Sequence, residues 1–186
     1  MEAFAAGLGS RGVCVVRFEF PYMQQRRESG ARRPPDREPV LFQCWRDVIA
    51  ELGRGPGLVI GGKSMGGRMA SMVADSEQVR GLVCLGYPFH APGKPERPRI
   101  GHLLALQTPA LIVQGTRDQF GPVDEVNGYG LPPSISLHWL EDGDHDFKPR
   151  VVSGRTQRQN REEAMEAVAT FLAALLPTSG QLTAAS

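Results

Sequence analysis

Apolar positions along this chain fall into short blocks divided by glycine, proline and charge, and the spacing inside each block separates strands from helices. Leu58-Val59-Ile60-Gly61-Gly62, Gly81–Gly86 and Ala110–Gly115 are brief continuous apolar runs, as in strands buried on both faces. Val13–Phe20 opens the same way, is β-rich and stops at Pro21, so a strand is predicted there too. Ser134–Leu140 alternates instead, which predicts a strand nearer the sheet edge.

Between these runs the apolar spacing turns helical. Phe4 and Leu8 share a face over Glu2–Ser10, and Trp45, Val48, Ile49 and Leu52 share one over Leu41–Leu52, which Gly53, Gly55 and Gly57 then end. Further helices are predicted over Met65–Asp75, briefly over Pro122–Asn127, and from Asn160 onward. In the last, Asn160 and Glu163 stand at capping-box spacing, Val168, Phe171, Leu172 and Leu175 form the buried face, and Pro177 is the stop. Tyr22–Pro39 and Tyr87–Arg99 carry the prolines and charges of loops.

Strands alternating with helices predict an α/β fold with a mostly parallel sheet covered on both faces. A length of 186 residues suits one domain, expected over 1–176, with 177–186 as a disordered tail. Lysine and arginine total 21 against 20 acids, a net charge of +1, which argues against a general nucleic-acid binder. No apolar stretch approaches the ~20 residues of a membrane span, and the start lacks the basic residues of a signal peptide. A cytoplasmic protein without membrane attachment is expected. Cys14, Cys44 and Cys84 make no C-x-x-C and sit among apolar neighbours, so buried reduced thiols are expected.

In parallel sheets ligands gather beyond the carboxyl ends of the strands. Ser64 stands at such an end in Gly62-x-Ser64-x-Gly66, the spacing of a nucleophile elbow, a strand-to-helix turn too tight for flanking side chains. Asp118 follows the strand ending at Gly115, and His145 lies in the turn after the strand ending at Leu140. A serine hydroxyl needs a base to become nucleophilic, and the base needs an acid to set its tautomer. The order Ser, Asp, His therefore reads as a catalytic triad. Each member also has a plainer reading: a serine in a glycine turn, a capping carboxylate, a solvated turn histidine. His138 lies inside a strand, His102 opens a helical segment, and His90 could line a pocket without acting as base. Asp142, Asp144 and Asp146 resemble the start of a calcium loop, but Phe147 and Ser153 stand where that loop requires glycine and glutamate. No metal and no organic cofactor is expected.

With these residues placed, the chain resembles α/β-hydrolases of the dienelactone-hydrolase-like kind. It is most similar to a family of small hydrolases that includes a testis-expressed hydrolase-like protein and a nonspecific-lethal chromatin-complex subunit. The resemblance rests on Arg17–Tyr22, Gly61–Arg68, Gly86-Tyr87-Pro88, Gln114–Asp118 and Asp144-His145. It implies a serine esterase with Ser64 as nucleophile, Asp118 as acid, His145 as base and the Met65 amide in the oxyanion hole. Lys63, Tyr87 and His90 are the candidates for substrate contact. The hydrolase fold also places a strand between Val13–Phe20 and Leu58–Gly62, whose trailing loop gives a second oxyanion amide. The chain begins within what matches the next helix, so two expectations stand: the strand and loop lie upstream of Met1, or the sheet is contracted and keeps half an oxyanion hole. The competing expectation is a weak or inactive hydrolase-like scaffold. The substrate is expected to be a small ester or acyl compound. Arginines of Tyr22–Pro39 and Lys94–Arg99 could favour an anionic one, although solvated loops explain those charges as well.

Overall fold

The computed structural model describes residues 1–53 and 57–175. Its centre is a four-stranded parallel sheet, β1 (Val59–Lys63), β2 (Gly81–Leu85), β3 (Ala110–Gly115) and β4 (Ile135–Leu140), in the order β1-β2-β3-β4. β1 to β3 fall on the continuous apolar runs, and β4, with the alternating pattern, is an edge strand. Alternate residues of each strand feed two separate cores. Leu82, Cys84, Ala110 and Ile112 face α3 (Glu38–Glu51), α4 (Met65–Val73) and α5 (Val123–Asn127). Val83, Leu85, Leu111 and Val113 face α1 (Glu2–Gly9) and α6 (Gln157–Leu175). Each large side chain so buried stabilises the fold by about 1.5–3 kcal/mol.

Three expectations about secondary structure fail, each for a physical reason. Residues 13–20 are extended but form no strand, because a strand needs a partner backbone. An apolar cleft of about 260 Å³ stands between this segment and β1, and among the described residues no backbone hydrogen bond crosses it. The stretch expected as the loop Tyr22–Pro39 contains α2 (Pro21–Ser29), with Pro21 in the first turn, where a missing N–H costs nothing, and Gly30 left-handed at the end. Pro39 sits likewise in the first turn of α3 rather than before it.

The third concerns α6, which starts before Asn160. Thr156 and Gln159 make the capping box: the Thr156 hydroxyl accepts from Gln159 N at 3.2 Å, and Gln159 Oε1 accepts from Thr156 N at 2.8 Å. Asn160 is fully buried and turned inward. Of the cysteines only Cys84 is buried, where loss of solvent pushes its thiol up; Cys14 is exposed on the unpaired segment. The expected stop at Pro177, the tail at 177–186 and the break at Gly55 lie outside the described residues. No described helix is long and apolar enough to cross a membrane.

Candidate active site

β1 runs into α4 through one residue, Ser64, at φ +53° and ψ −120°, a strained backbone for a side chain with a Cβ. The strain is held from both sides: Ser64 N donates to Leu85 O on β2 at 2.9 Å, and Ser64 O accepts from Arg68 N at 3.0 Å. Tightness comes from Gly62 and Gly67. A Cβ on Gly62 would lie 2.7 Å from Gly66 C, and one on Gly67 would lie 2.6 Å from Gly62 O. Gly66, the glycine of the expected spacing, faces open space. The elbow is present, but its second obligatory glycine is one residue later than the motif suggests.

The tight turn aims the hydroxyl across the strand ends. Ser64 Oγ lies 2.9 Å from His145 Nε2, and His145 Nδ1 lies 2.8 Å from Asp118 Oδ2. A carboxylate can only accept, so Nδ1 carries the proton, and Nε2 is left to accept from the serine. Asp118 is fully buried, and its other oxygen, Oδ1, accepts from Phe120 N at 2.9 Å. Phe120 packs its ring edge-on against the imidazole at 4.5 Å, a contact with no sequence signal beyond nearness to Asp118. The Met65 N–H opens α4, with no helical carbonyl before it to bond, and stands at the positive end of the helix dipole. The arrangement can move a proton from Ser64 to His145 and present an N–H to a developing oxyanion.

Residues 1–173 match a family described as an alpha/beta hydrolase domain. The chain belongs to that family. The fold agrees with solved hydrolase structures at low identity. The esterase domain of a Rhodothermus marinus protein is 16% identical with TM-score 0.61, over 91% of this chain and 77% of that one. An alpha/beta superfamily hydrolase from Xanthomonas campestris pv. campestris is 22% identical with TM-score 0.58, over 91% and 88%. An alpha-beta serine hydrolase homologue from Coxiella burnetii is 19% identical with TM-score 0.53; 74% of this chain aligns, spanning 63% of the Coxiella protein's length.

Beside Ser64 this alpha/beta hydrolase domain has a cavity of about 400 Å³, walled by Phe18, Phe20, Tyr22, Trp45 and Met65. Among the described residues, the cationic side chains lining it are Arg17 and Lys63; none of the arginines in the two basic stretches does so. Lys63 is bonded to Asp146 at 2.7 Å, which ties the elbow to the histidine turn and, through that hydrogen bond, holds the Asp146 carboxyl below its ordinary range.

The other two candidates for substrate contact do not reach the cavity. Tyr87 is wholly buried, with its hydroxyl on Arg99 O at 3.2 Å, and burial pushes that hydroxyl up. His90 is buried too, with Nδ1 bonded to Ala91 O at 2.8 Å and Nε2 3.4 Å from Glu125. Both follow β2 into the core instead of toward the serine. His102 bonds Ser71 at 2.8 Å and His138 bonds Glu163 at 3.3 Å, so each is occupied away from Ser64.

The three aspartates of the histidine turn are spent separately. Asp142 holds Arg150 and Arg117, each within 2.8 Å; Asp144 accepts from the amides of Asp146 and Lys148; Asp146 holds Lys63. Asn160 completes the brace. Its amide donates to Phe147 O at 3.0 Å and Glu141 O at 3.2 Å, one carbonyl near each end of the turn.

Proposed function

We propose that the protein is a serine hydrolase that cleaves a small ester or related acyl compound through Ser64, His145 and Asp118. The observation that carries this reading is the continuous chain of short contacts between three residues far apart in sequence, 2.9 Å from Ser64 to His145 and 2.8 Å from His145 to Asp118. Ser64 Oγ attacks the substrate carbonyl carbon while its proton passes to His145 Nε2. Asp118, kept as a buried acceptor, stabilises the imidazolium so formed. The Met65 N–H donates to the oxyanion of the tetrahedral intermediate.

Collapse of the intermediate breaks the ester C–O bond, and His145 returns the proton to the departing alcohol. His145 then takes a proton from water, whose oxygen attacks the acyl carbon; the bond from that carbon to Ser64 Oγ breaks, His145 returns its proton to Oγ, and the acid is released. The aromatic cavity beside Ser64 suits a compact apolar acyl group, and Arg17 at its rim supports a substrate that also carries an anionic group. The resemblance to dienelactone-hydrolase-like enzymes agrees with a small substrate, and the chemistry calls for no cofactor.

A fluorophosphonate probe tests the reading. Wild-type protein is expected to label at one serine and Ser64→Ala to remain unlabelled, with esterase turnover lower by about 10⁴–10⁶-fold. Labelling that survives in Ser64→Ala would sink the assignment.

A further inference from the structure

Gln114 is a polar side chain with no exposure at all, next to last in β3 and just before the Asp118 loop. Burying a primary amide is costly unless its donors and acceptor are used, and here all are. Oε1 accepts from Tyr87 N at 2.7 Å, while the two hydrogens of Nε2 are shared among three acceptors, Asp118 Oδ2 at 3.0 Å, Tyr87 O at 3.1 Å and Gly121 O at 3.3 Å. The Asp118 contact falls on the same oxygen that accepts from His145 Nδ1.

Two consequences meet at the imidazole. First, Asp118 Oδ2 has one lone-pair direction occupied by Gln114, so the direction left for His145 is set. Second, Gln114 grips both backbone polar atoms of Tyr87 and so holds Gly86, the residue before it. Gly86 is the floor beneath the histidine: a Cβ there would lie 3.1 Å from His145 O and 3.3 Å from His145 Nδ1. One buried amide therefore fixes both the acceptor that aligns the ring and the surface against which the ring rests.

We propose that Gln114 is a positioning residue for the Ser64–His145–Asp118 relay, clamping Asp118 Oδ2 and the Tyr87 backbone together so that the His145 ring is held toward Ser64. The proposal rests on the hydrolase reading above for its kinetic consequences but not for its geometric ones. Gln114 does not line the cavity beside Ser64, and its bonds go to Tyr87, Asp118 and Gly121 rather than to Ser64 Oγ. A purely structural glutamine would alter stability and leave the imidazole hydrogen bond as it is.

The test compares the full wild-type chain with Gln114→Met, which keeps length and loses all four bonds, and with Gln114→Asn, which keeps the amide but cannot span Tyr87 and Asp118 together. One readout is kcat and KM on p-nitrophenyl acetate. The other is the proton NMR spectrum of the resting protein, in which an Nδ1–H held by a buried carboxylate resonates far downfield.

A kcat lower by about 10–100-fold at unchanged KM is expected, because a small misplacement of a reacting group costs that much. The downfield resonance should shift or broaden in both variants. Either folded variant with wild-type kcat and an unmoved resonance overturns the proposal, as does a wild-type spectrum lacking the resonance. If Gln114→Met does not fold, Gln114→Asn decides alone. Wild-type protein that neither labels at Ser64 nor hydrolyses esters would defeat the hydrolase reading, while the resonance comparison would still judge Gln114.

Discussion

The serine and the histidine face each other at 2.9 Å, yet they are held there by opposite means. The elbow is mostly local: six residues, Gly62 to Gly67, packed so closely that two glycines touch across the turn, with the Ser64 N–Leu85 O bond as its tie to β2. The histidine turn is braced from a distance, by Arg150 and Arg117 on Asp142, by Asn160 on two backbone carbonyls and by Lys63 on Asp146. Local strain is set by which side chains are absent. A braced loop is set by which partners arrive from elsewhere in the chain, and these can be removed one at a time. The elbow should therefore fail abruptly under substitution and the turn by degrees.

The sharpest break in that comparison is a pair of glycines one residue apart. Gly67→Ala would put a Cβ 2.6 Å from Gly62 O, a backbone atom, and 3.2 Å from Cys84 Sγ, itself buried. The helix propensity gained on replacing glycine by alanine, about 1 kcal/mol, is smaller than the ~1–3 kcal/mol cost of forcing atoms into a packed core. Loss of stability is expected, together with loss of more than about 10²-fold in kcat as the elbow opens. Gly66→Ala meets nothing within 4 Å and should be neutral or slightly stabilising. Thermal unfolding and ester turnover of the two variants check this; equal damage from both would mean that the turn is not held by the Gly62–Gly67 contact.

The two regions also differ in how far they could be read from the chain. β2 and β3 announced themselves because a strand buried on both faces must be apolar throughout, β4 because it alternates, and β1 and the elbow because a short apolar run meets clustered glycines. Even there the spacing chose Gly66, since the motif counts from the serine whereas the steric demand falls on the residue facing Gly62 O. Long-range bracing leaves no periodic trace. Asn160 resembled a helix cap because asparagine caps helices often, and only the fold shows it spent on Glu141 and Phe147. Tyr87 and His90 followed a strand end on the right side of the sheet, but the chain turns inward there, which no spacing reveals. Residues 13–20 satisfied every compositional rule for a strand, and composition cannot supply a partner backbone.

Asn160 gives a graded test of the turn. Asn160→Leu keeps the volume close and removes every polar partner, leaving two carbonyls and the Arg155 Nε that bonds Asn160 Oδ1 at 2.8 Å unpaired. Groups buried without partners cost about 1–3 kcal/mol each, and partial rescue by water brings the expected total to about 2–4 kcal/mol. For a chain of this size that is a fall in Tm of roughly 5–15 °C. Turnover should drop only about tenfold, because Asp118 and Phe120 still contact the imidazole. A Tm loss with kcat intact would show that Asn160 braces the fold and not the site.

The smallest effect is expected at Asp142, and it carries a pH signature. Hydrogen bonding from the Arg150 side chain, first among several causes, holds this carboxyl down to about 2 from its ordinary value of 3.8. A carboxyl depressed on folding adds stability above its unfolded value and loses it as the folded form is protonated. Its contribution should therefore be complete above pH 4 and fade as the pH falls from about 4 to about 2. Asp142→Asn removes the charge while keeping the shape, so the variant should unfold earlier than wild type at neutral pH. The gap between their Tm values should close across that acid window. A gap that stays constant from pH 7 to pH 2 would mean that the turn is held by Asp142's shape and backbone contacts alone, and that the arginines contribute no charge-dependent brace.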